Sequence, residues 1–420
     1  MRILHTADWH LGKNLEGRSR LEEQQEFIDE LVEIVKNECI DMVLVAGDVF
    51  DTYNPPAEAE KLFYDCLDRL TEEGKRGVIV IAGNHDSPDR LCASMPLAAR
   101  HGIVLIGLPN SSISTTAGYS REGINIVKGG IGWVEIEIAS CSQRAVVLTL
   151  PYPSEARLKE VITDSIDENK FQIAYSEKVG YMFSQLSQHF RTDTVNLAMS
   201  HIFVKGGKES DSERPIQMVG GACSVDPKAL PQNAHYIALG HLHRPQAVEG
   251  SSVPAYYAGS PLGYSFSEAG QTKSVFIIDA EPGKPANIKE IHLCSGKPLV
   301  KWVATGGLKD VYKWIDEGRD KTAWIDLELH IESPLTQADI QNIREARHGI
   351  INIRPVLPQM AENFSIERRS ELPIDELFKR FYKSRVGVEP DDSIIELFMK
   401  LVFEGEETEG EETGERGTVK

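Results

Sequence analysis

Cysteine is sparse in this 420-residue chain, and none of its six cysteines stands in a Cys-x-x-Cys pair. Cys39, Cys66, Cys92, Cys141, Cys223 and Cys294 read as reduced, mostly buried thiols, which excludes a disulfide framework or a thiolate zinc site. No apolar run approaches the roughly 20 residues that cross a bilayer, so no membrane association is expected. The opening residues, MRILH, enter a strand directly, without a separate apolar segment or a small-residue cleavage site, and a cytoplasmic protein is expected. Positive charge is also short: 45 Lys and Arg against 64 Asp and Glu leave a formal charge of −19. Such an excess argues against indiscriminate nucleic-acid affinity but not against a local basic groove. There is no internal repeat, and the length accommodates two or three domains.

What the chain does have is a series of ligand-rich strings, each following an apolar run. They are Asp8-Trp9-His10, Gly47-Asp48-Val49-Phe50-Asp51, Gly83-Asn84-His85-Asp86, a lone His201, and Gly240-His241-Leu242-His243. The preceding runs read as strands, which puts every string at the C-terminal end of a strand, where sites of α/β sheets assemble. In Asp8-x-His10 and His241-x-His243, extended backbone puts both side chains on one side. Glycines 47, 83 and 240 fit tight turns from strand to loop.

Aspartate, asparagine and histidine without thiolate suit a pair of divalent metal ions, which can clamp the attacking and leaving oxygens of a phosphate ester. Asp48 is the natural bridge. Asp8, His10, Asp48 and His243 are assigned to one ion, and Asp48, Asn84, His201 and His241 to the other. His85 is expected to point away from the ions and to protonate the leaving oxygen or stabilise developing charge. Asp51 or Asp86 is expected to orient its ring. Arg18, Arg20 and Arg90 are candidate phosphate contacts, whereas Lys205 and Lys208 are offset by Glu209, Asp211 and Glu213.

Strand and helix alternate through the first part of the chain. Strands are predicted at 2–7, 41–46, 78–82, 103–106, 145–150, 195–199, 236–239 and 275–279, with helices at 21–36 and 57–73. The fold class is therefore α/β, with a layered domain over 1–285. Pro282-Gly283-Lys284-Pro285 reads as a linker to a small α+β domain over 286–370, whose segment 284–321 carries eight basic residues against five acidic ones. Residues 371–403 read as a helix-loop-helix, with apolar faces at Leu377, Phe378, Phe381 and Tyr382 and at Ile394, Leu397, Phe398, Leu401 and Val402. With little chain left to cover it, this pair is expected to dock on a partner. The tail 404–420 holds seven Glu and almost nothing apolar, and reads as disordered.

The motif set D-x-H, GD-x-x-D, GNH-D, H and GH-x-H resembles the calcineurin-like metallophosphoesterase superfamily. The longer segments ILHTADWHLG (3–12), GDVFDT (47–52), GNHDSPDR (83–90), SDSERP (210–215) and ALGHLHRPQ (238–246) are similar to the SbcD family, the nuclease subunits of bacterial SbcCD complexes, from Met1 to about Phe403. The resemblance implies a metallophosphoesterase nuclease domain, a DNA-capping domain and terminal helices that bind an SbcC-type ATPase. It implies two divalent ions, preferably Mn2+, held by Asp8, His10, Asp48, Asn84, His201, His241 and His243, with His85 catalytic. It further implies double-strand 3′-to-5′ exonuclease and single-strand or hairpin endonuclease activity in DNA repair, recombination and replication. A homodimer within a heterotetramer, at the bacterial nucleoid, is implied as well. Asp51 departs from archaeal relatives, which carry histidine there, so that histidine's role does not transfer.

Two other readings compete. A small-molecule or cyclic-nucleotide phosphodiesterase has no need of a basic capping domain or an exposed helix pair. A non-catalytic scaffold is disfavoured because every ligand position is filled.

Overall fold

A computed structural model describes residues 1–113, 124–141, 143–158, 168–213, 217–218 and 221–357, together with 378–379, 382, 390–391, 394–395 and 398. It divides into two units, Met1–Pro355 and Val356–Lys420.

Alternation along the first strands dictates a layered fold. In Arg2–Thr6 and Met42–Ala46 every residue but Arg2 is buried, so both faces of the sheet must be covered. Leu4, Val43 and Val45 face the helices Leu21–Asn37 and Ala57–Thr71, packing with Phe27, Leu31, Phe63 and Leu67. Ile3, Met42 and Leu44 point the other way, into a second core shared with Val147, Leu197, Met199 and Ala238 of a second sheet. The outer face of that sheet carries Val146, Leu148, Ala198 and Ile237, covered by Tyr175, Val179 and Phe183. The result is two facing sheets with helices outside.

The first sheet runs Asn287–His292, Ser274–Asp279, Arg2–Thr6, Met42–Ala46, Gly77–Ile81, Ile103–Ile106. Its last four strands are parallel and the first two antiparallel. The second runs Gln246–Ala247, Ala255–Tyr257, Tyr236–Gly240, Val195–His201, Arg144–Leu150, Trp133–Ile138, Ile124–Gly130. Its central strands Arg144–Leu150, Val195–His201 and Tyr236–Gly240 are parallel, so their carboxyl ends share an edge.

The expected linker at 282–285 is instead the turn of a hairpin. Asn287–His292 pairs antiparallel with Ser274–Asp279, Asp279 opposite Asn287, so the first sheet extends to His292 rather than ending near 285. The reason is local: the Pro-Gly-Lys-Pro string turns the chain tightly, with Gly283 at positive φ.

Strands Leu299–Ala304, Trp324–His330 and Ile350–Val356 form a three-stranded sheet in that order, with helices Leu308–Asp316 and Gln337–Ala346. They enclose their own core around Trp302, Val311, Ile325, Leu327, Leu329 and Ile343. Residues 358–370 and the tail 404–420 lie outside the described residues, as does most of 371–403. Of that segment, Phe378, Lys379, Tyr382, Ile394, Ile395 and Phe398 are helical. Phe378 stacks on Phe398, with ring centroids 3.9 Å apart and an interplanar angle of 4°.

Candidate metal centre

Each ligand-rich string caps a strand of one of the two sheets, and the facing edges bring the strings together. Asp8 and His10 follow Arg2–Thr6, Asp48 follows Met42–Ala46, and Asn84 and His85 follow Gly77–Ile81. From the opposite sheet come His201, which ends Val195–His201, and His241 and His243, which follow Tyr236–Gly240. The chain bends hard to do this: Asp8, His10, Asp48 and His241 all take positive φ. Such conformations cost about 1–3 kcal/mol each in non-glycine residues and persist where the surroundings enforce them. Two glycines make the convergence possible. A Cβ on Gly83 would stand 2.1 Å from the Asp48 carboxylate, and one on Gly240 1.9 Å from the Ala46 carbonyl.

The side chains converge on two overlapping clusters, Asp8–His10–His243 and Asp8–Asp48–His201, in each of which the candidate ligand atoms lie within 4.8 Å of one another. Asp48 Oδ2, itself in the second cluster, lies 3.4 Å from His201 Nε2 and 3.7 Å from His10 Nε2 of the first, while Asp8 belongs to both. Asn84 Oδ1 is 2.9 Å from His201 Nε2. The His241 ring lies beside that of His201, centroids 5.5 Å apart. His10 Nε2 and His243 Nε2 face each other at 3.0 Å. All seven residues assigned from the sequence are thus gathered in one place.

The donor set fits a pair of metal ions. Asp8 Oδ2 and His241 Nε2 are buried with no hydrogen-bond partner, a costly arrangement unless a ligand satisfies them. The two buried ring nitrogens of His10 and His243 share a hydrogen bond whose direction depends on the tautomer, and both are placed to face one shared cation. Burial and mutual charge also shift the titration of these groups in the metal-free protein. Burial pushes the Asp8 carboxyl well up, despite the His201 charge. Asp48 is held well below the usual carboxylate range: burial opposes this, but His201 and the other histidines outweigh it. Burial also opposes the His201 imidazolium, yet the Asp48 and Asp8 carboxylates raise it to about 9. Burial lowers His10 to about 4 and His241 to about 3, the latter aided by the His201 charge. His243 is lowered by burial and by the charge on His10.

His85 sits beside the clusters, its ring 4.8 Å from that of His10. Its Nδ1 lies 2.7 Å from the backbone carbonyl of Asp51, and its backbone N–H donates to Asp48 at 2.9 Å. The expected orienting group is therefore the main chain of Asp51, not its carboxylate, which pairs with Lys13 at 2.7 Å and stands 3.4 Å from His10 Nδ1. His10, Asp51 and His85 form a third compact donor group. Asp86, the other expected orienter, instead accepts from the backbone N–H groups of Gly83, Val49 and Phe50, tying two motif loops together. Burial and the Asp48 charge raise Asp86 to about 6 against those bonds.

The three arginines differ. Arg18 is exposed and lines two adjoining grooves. Arg90 is exposed and pairs with Glu60 at 3.0 Å. Arg20 is a correction: it is buried, its guanidinium forks onto Glu23 at 2.7 and 2.8 Å, and a third bond goes to the Gly263 carbonyl. It has no free face for a phosphate, because Glu23 is itself buried and needs the charge.

Several supporting residues were not singled out from the sequence. Gln24 donates to the His10 carbonyl and accepts from Gly12 N–H, fixing the loop that carries Asp8 and His10. Arg157 donates to the carbonyls of Gly83 and Asp86, both at 2.7 Å. Glu213, read only as one of the acids that offset Lys205 and Lys208, is buried and accepts from the His243 N–H at 2.7 Å. Nothing in the local pattern announces these roles, since each partner lies far away in sequence.

Residues 1–245 match the model of the calcineurin-like phosphoesterase family, and 296–386 that of the type 5 capsule protein repressor C-terminal domain. The chain is similar to the SbcD polypeptide of the nuclease SbcCD from Bacillus subtilis (strain 168), 49% identical over 408 residues, covering 97% of this chain and 99% of the relative. The like-named protein of Escherichia coli (strain K12) is 28% identical over 402 residues, 90% and 92% of the two chains. That of Staphylococcus epidermidis (strain ATCC 12228 / FDA PCI 1200) is 28% identical over 385 residues, 91% and 93% of the two chains. With a match of this extent laid over a gathered set of metal donors, the chain belongs to the SbcD family of calcineurin-like phosphoesterases.

Proposed function

We propose that this chain is the nuclease subunit of an SbcCD-type complex and hydrolyses DNA phosphodiesters with two divalent cations, manganese being the best suited. The observation that carries the reading is the convergence of seven Asp, Asn and His side chains from two facing sheets, with buried donor atoms left unpartnered. Asp8, His10, Asp48 and His243 would hold one ion, and Asp48, Asn84, His201 and His241 the other. Bound ions supply charge neutralisation at the phosphate and a water of lowered pKa as nucleophile.

The chain's own residues do the rest. Asp48 sets the spacing of the two clusters. Tyr264 and Gln24 hold the backbone of Trp9 and His10, keeping the donors at fixed distance. His85, its Nδ1–H committed to the Asp51 carbonyl, presents Nε2, which in the imidazolium form delivers a proton to the leaving oxygen and is left as neutral imidazole.

DNA as substrate draws support from charge placement. Arg18 shares its grooves with Lys297, Lys321, Arg344, Arg347 and His348 in a protein whose net charge is −19. Such contacts grip phosphates without reading bases. The segment 371–403, which carries Phe378 and Phe398, is the proposed docking element for an SbcC-type ATPase, with a homodimer at the centre of a heterotetramer. No described helix is long and apolar enough to cross a membrane, and a cytoplasmic site of action at the nucleoid is part of the proposal.

The test is manganese-dependent cleavage of a labelled DNA hairpin beside bis-p-nitrophenyl phosphate, with wild type and His85→Ala. Cleavage of both by wild type, lost in the variant, is expected. Turnover of the small ester alone, even after the ATPase partner is added, would favour a small-molecule phosphodiesterase.

A further inference from the structure

The loop Ser210–Glu213 grips His243 from the side opposite its metal-facing nitrogen. Ser212 Oγ lies 2.6 Å from His243 Nδ1. Ser210 Oγ stands 2.9 Å from Ser212 Oγ and donates to Glu213 Oε2 at 2.7 Å. The other carboxylate oxygen, Glu213 Oε1, accepts from the His243 backbone N–H at 2.7 Å. The bonds close a ring that starts at the imidazole of His243 and returns to its own backbone. The His243 carbonyl is fixed as well, by Lys273 Nζ at 2.9 Å and the Ser260 N–H at 3.1 Å. Lys273 is buried and paired with Glu268. The loop is anchored next to Glu268, since Asp211 N–H donates to the neighbouring Ser267 Oγ at 3.2 Å.

We infer that Ser212, backed by Ser210 and Glu213, is a positioning residue that locks His243 in the tautomer and orientation needed to bind a metal ion through Nε2. The inference rests on the two-metal reading above and adds residues that reading does not use.

The argument is one of proton counting. Neutral imidazole has one N–H and one lone pair, and only the lone pair binds metal. If Nδ1–H donates to Ser212 Oγ, the lone pair is at Nε2, the atom that faces His10 Nε2 at 3.0 Å. Ser212 can accept that proton because its own O–H has an acceptor in Ser210, which in turn has one in Glu213. With the imidazole Nδ1–H as first donor, the bonds run in one direction, from imidazole to carboxylate. Carboxylates commonly serve metal-bound histidines directly in this way; here two hydroxyls carry the connection. A loop present only for packing would have no reason to end on the ring nitrogen opposite the cluster. His201 is held by the same logic with simpler means, its Nδ1 donating to the Ala46 carbonyl at 3.0 Å.

The experiment is manganese titration of the full-length protein by calorimetry, with the cobalt(II) visible spectrum as a second readout. It compares wild type, Ser212→Ala, Ser212→Thr and Asp48→Asn. Ser212→Ala is expected to weaken one of the two binding events about 10- to 100-fold and to alter the cobalt spectrum, with an unchanged circular-dichroism melt. Ser212→Thr, which keeps the hydroxyl, is expected to restore both. Asp48→Asn is expected to weaken both events. Two wild-type events that Ser212→Ala leaves unchanged would overturn the clamp alone. A wild type that binds fewer than two ions would overturn the two-metal reading and the clamp with it. A Ser212→Thr protein as weak as Ser212→Ala would show that the hydroxyl is not what matters, and would also overturn the clamp.

Discussion

His85 is oriented by the main chain of Asp51: its Nδ1 meets the Asp51 carbonyl at 2.7 Å, while the Asp51 carboxylate turns away to Lys13. A backbone acceptor survives any substitution at the position. Asp51→Asn should therefore leave kcat at saturating manganese close to wild type. Its effect should fall on metal affinity, through the lost charge beside His10 Nδ1. Burial opposes the Asp51 carboxylate, yet His10 and Lys13 hold it below the usual carboxylate range, so the charge is present at any working pH. Steady-state kinetics against manganese concentration separate the two parameters, and a kcat loss as deep as that of a His85 variant would refute the assignment.

The same bond makes a prediction for His85 itself. Removing a general acid costs about 10²- to 10⁴-fold in rate. His85→Ala should show that loss with two ions still bound, measured as metal content after gel filtration. Because His10, Asp51 and His85 form a compact donor group, the contrary outcome is well defined: a variant that retains one ion would make His85 a ligand.

The proton on His201 sets a pH dependence. Its folded value of about 9 lies above the ordinary value of about 6.5 for histidine. A raised value of this kind stabilises the metal-free fold fully below about pH 6.5, and the contribution fades as pH rises through 9. Metal binding works the other way, because the ligand must shed that proton. Between pH 6.5 and 9 the melting temperature of EDTA-treated protein should fall while manganese affinity rises. His201→Asn should flatten the first trend. Thermal melts and titrations at three pH values within the window check both signs.

The gathered donors were legible because each string follows an apolar run, and parallel strands deliver their carboxyl ends to one edge. Asp8, Asp48, Asn84, His201 and His241 needed only that rule. What supports them was not legible. Gln24 reaches the His10 carbonyl, Arg157 the Gly83 carbonyl and Glu213 the His243 amide, each across a gap in sequence that no local pattern spans. Glu213 reads as one of several loop acids until burial shows what it holds. The hairpin Ser274–Asp279/Asn287–His292 was missed for a related reason: the outer strand Asn287–His292 is mostly exposed and lacks a buried face to give it a pattern. Arg20 failed as a phosphate contact because its partner, Glu23, lies in the first turn of Leu21–Asn37 and is buried, where acidic residues ordinarily face solvent.

Arg18 and Arg20, two residues apart, should behave oppositely. Glu23 is a junction: it accepts from the Arg20 guanidinium, from the Trp324 indole at 2.8 Å and from the Lys297 backbone N–H. These bonds fasten the small α+β domain to the helix that supports the metal loop. Removing Arg20 strands a buried carboxylate, a change that typically costs about 3–5 kcal/mol. Arg20→Ala should therefore lower the melting temperature markedly. In whatever fraction stays folded, the salt dependence of DNA binding should match wild type, because no phosphate contact has been lost. Arg18→Ala should melt like wild type, since its side chain is exposed. Its affinity for DNA should fall evenly across sequences, and the slope of log affinity against log salt should shrink by about one. Fluorescence anisotropy at several salt concentrations measures that slope. A reduced slope in a folded Arg20 variant would return Arg20 to the DNA surface, and an unchanged slope for Arg18→Ala would remove Arg18 from it.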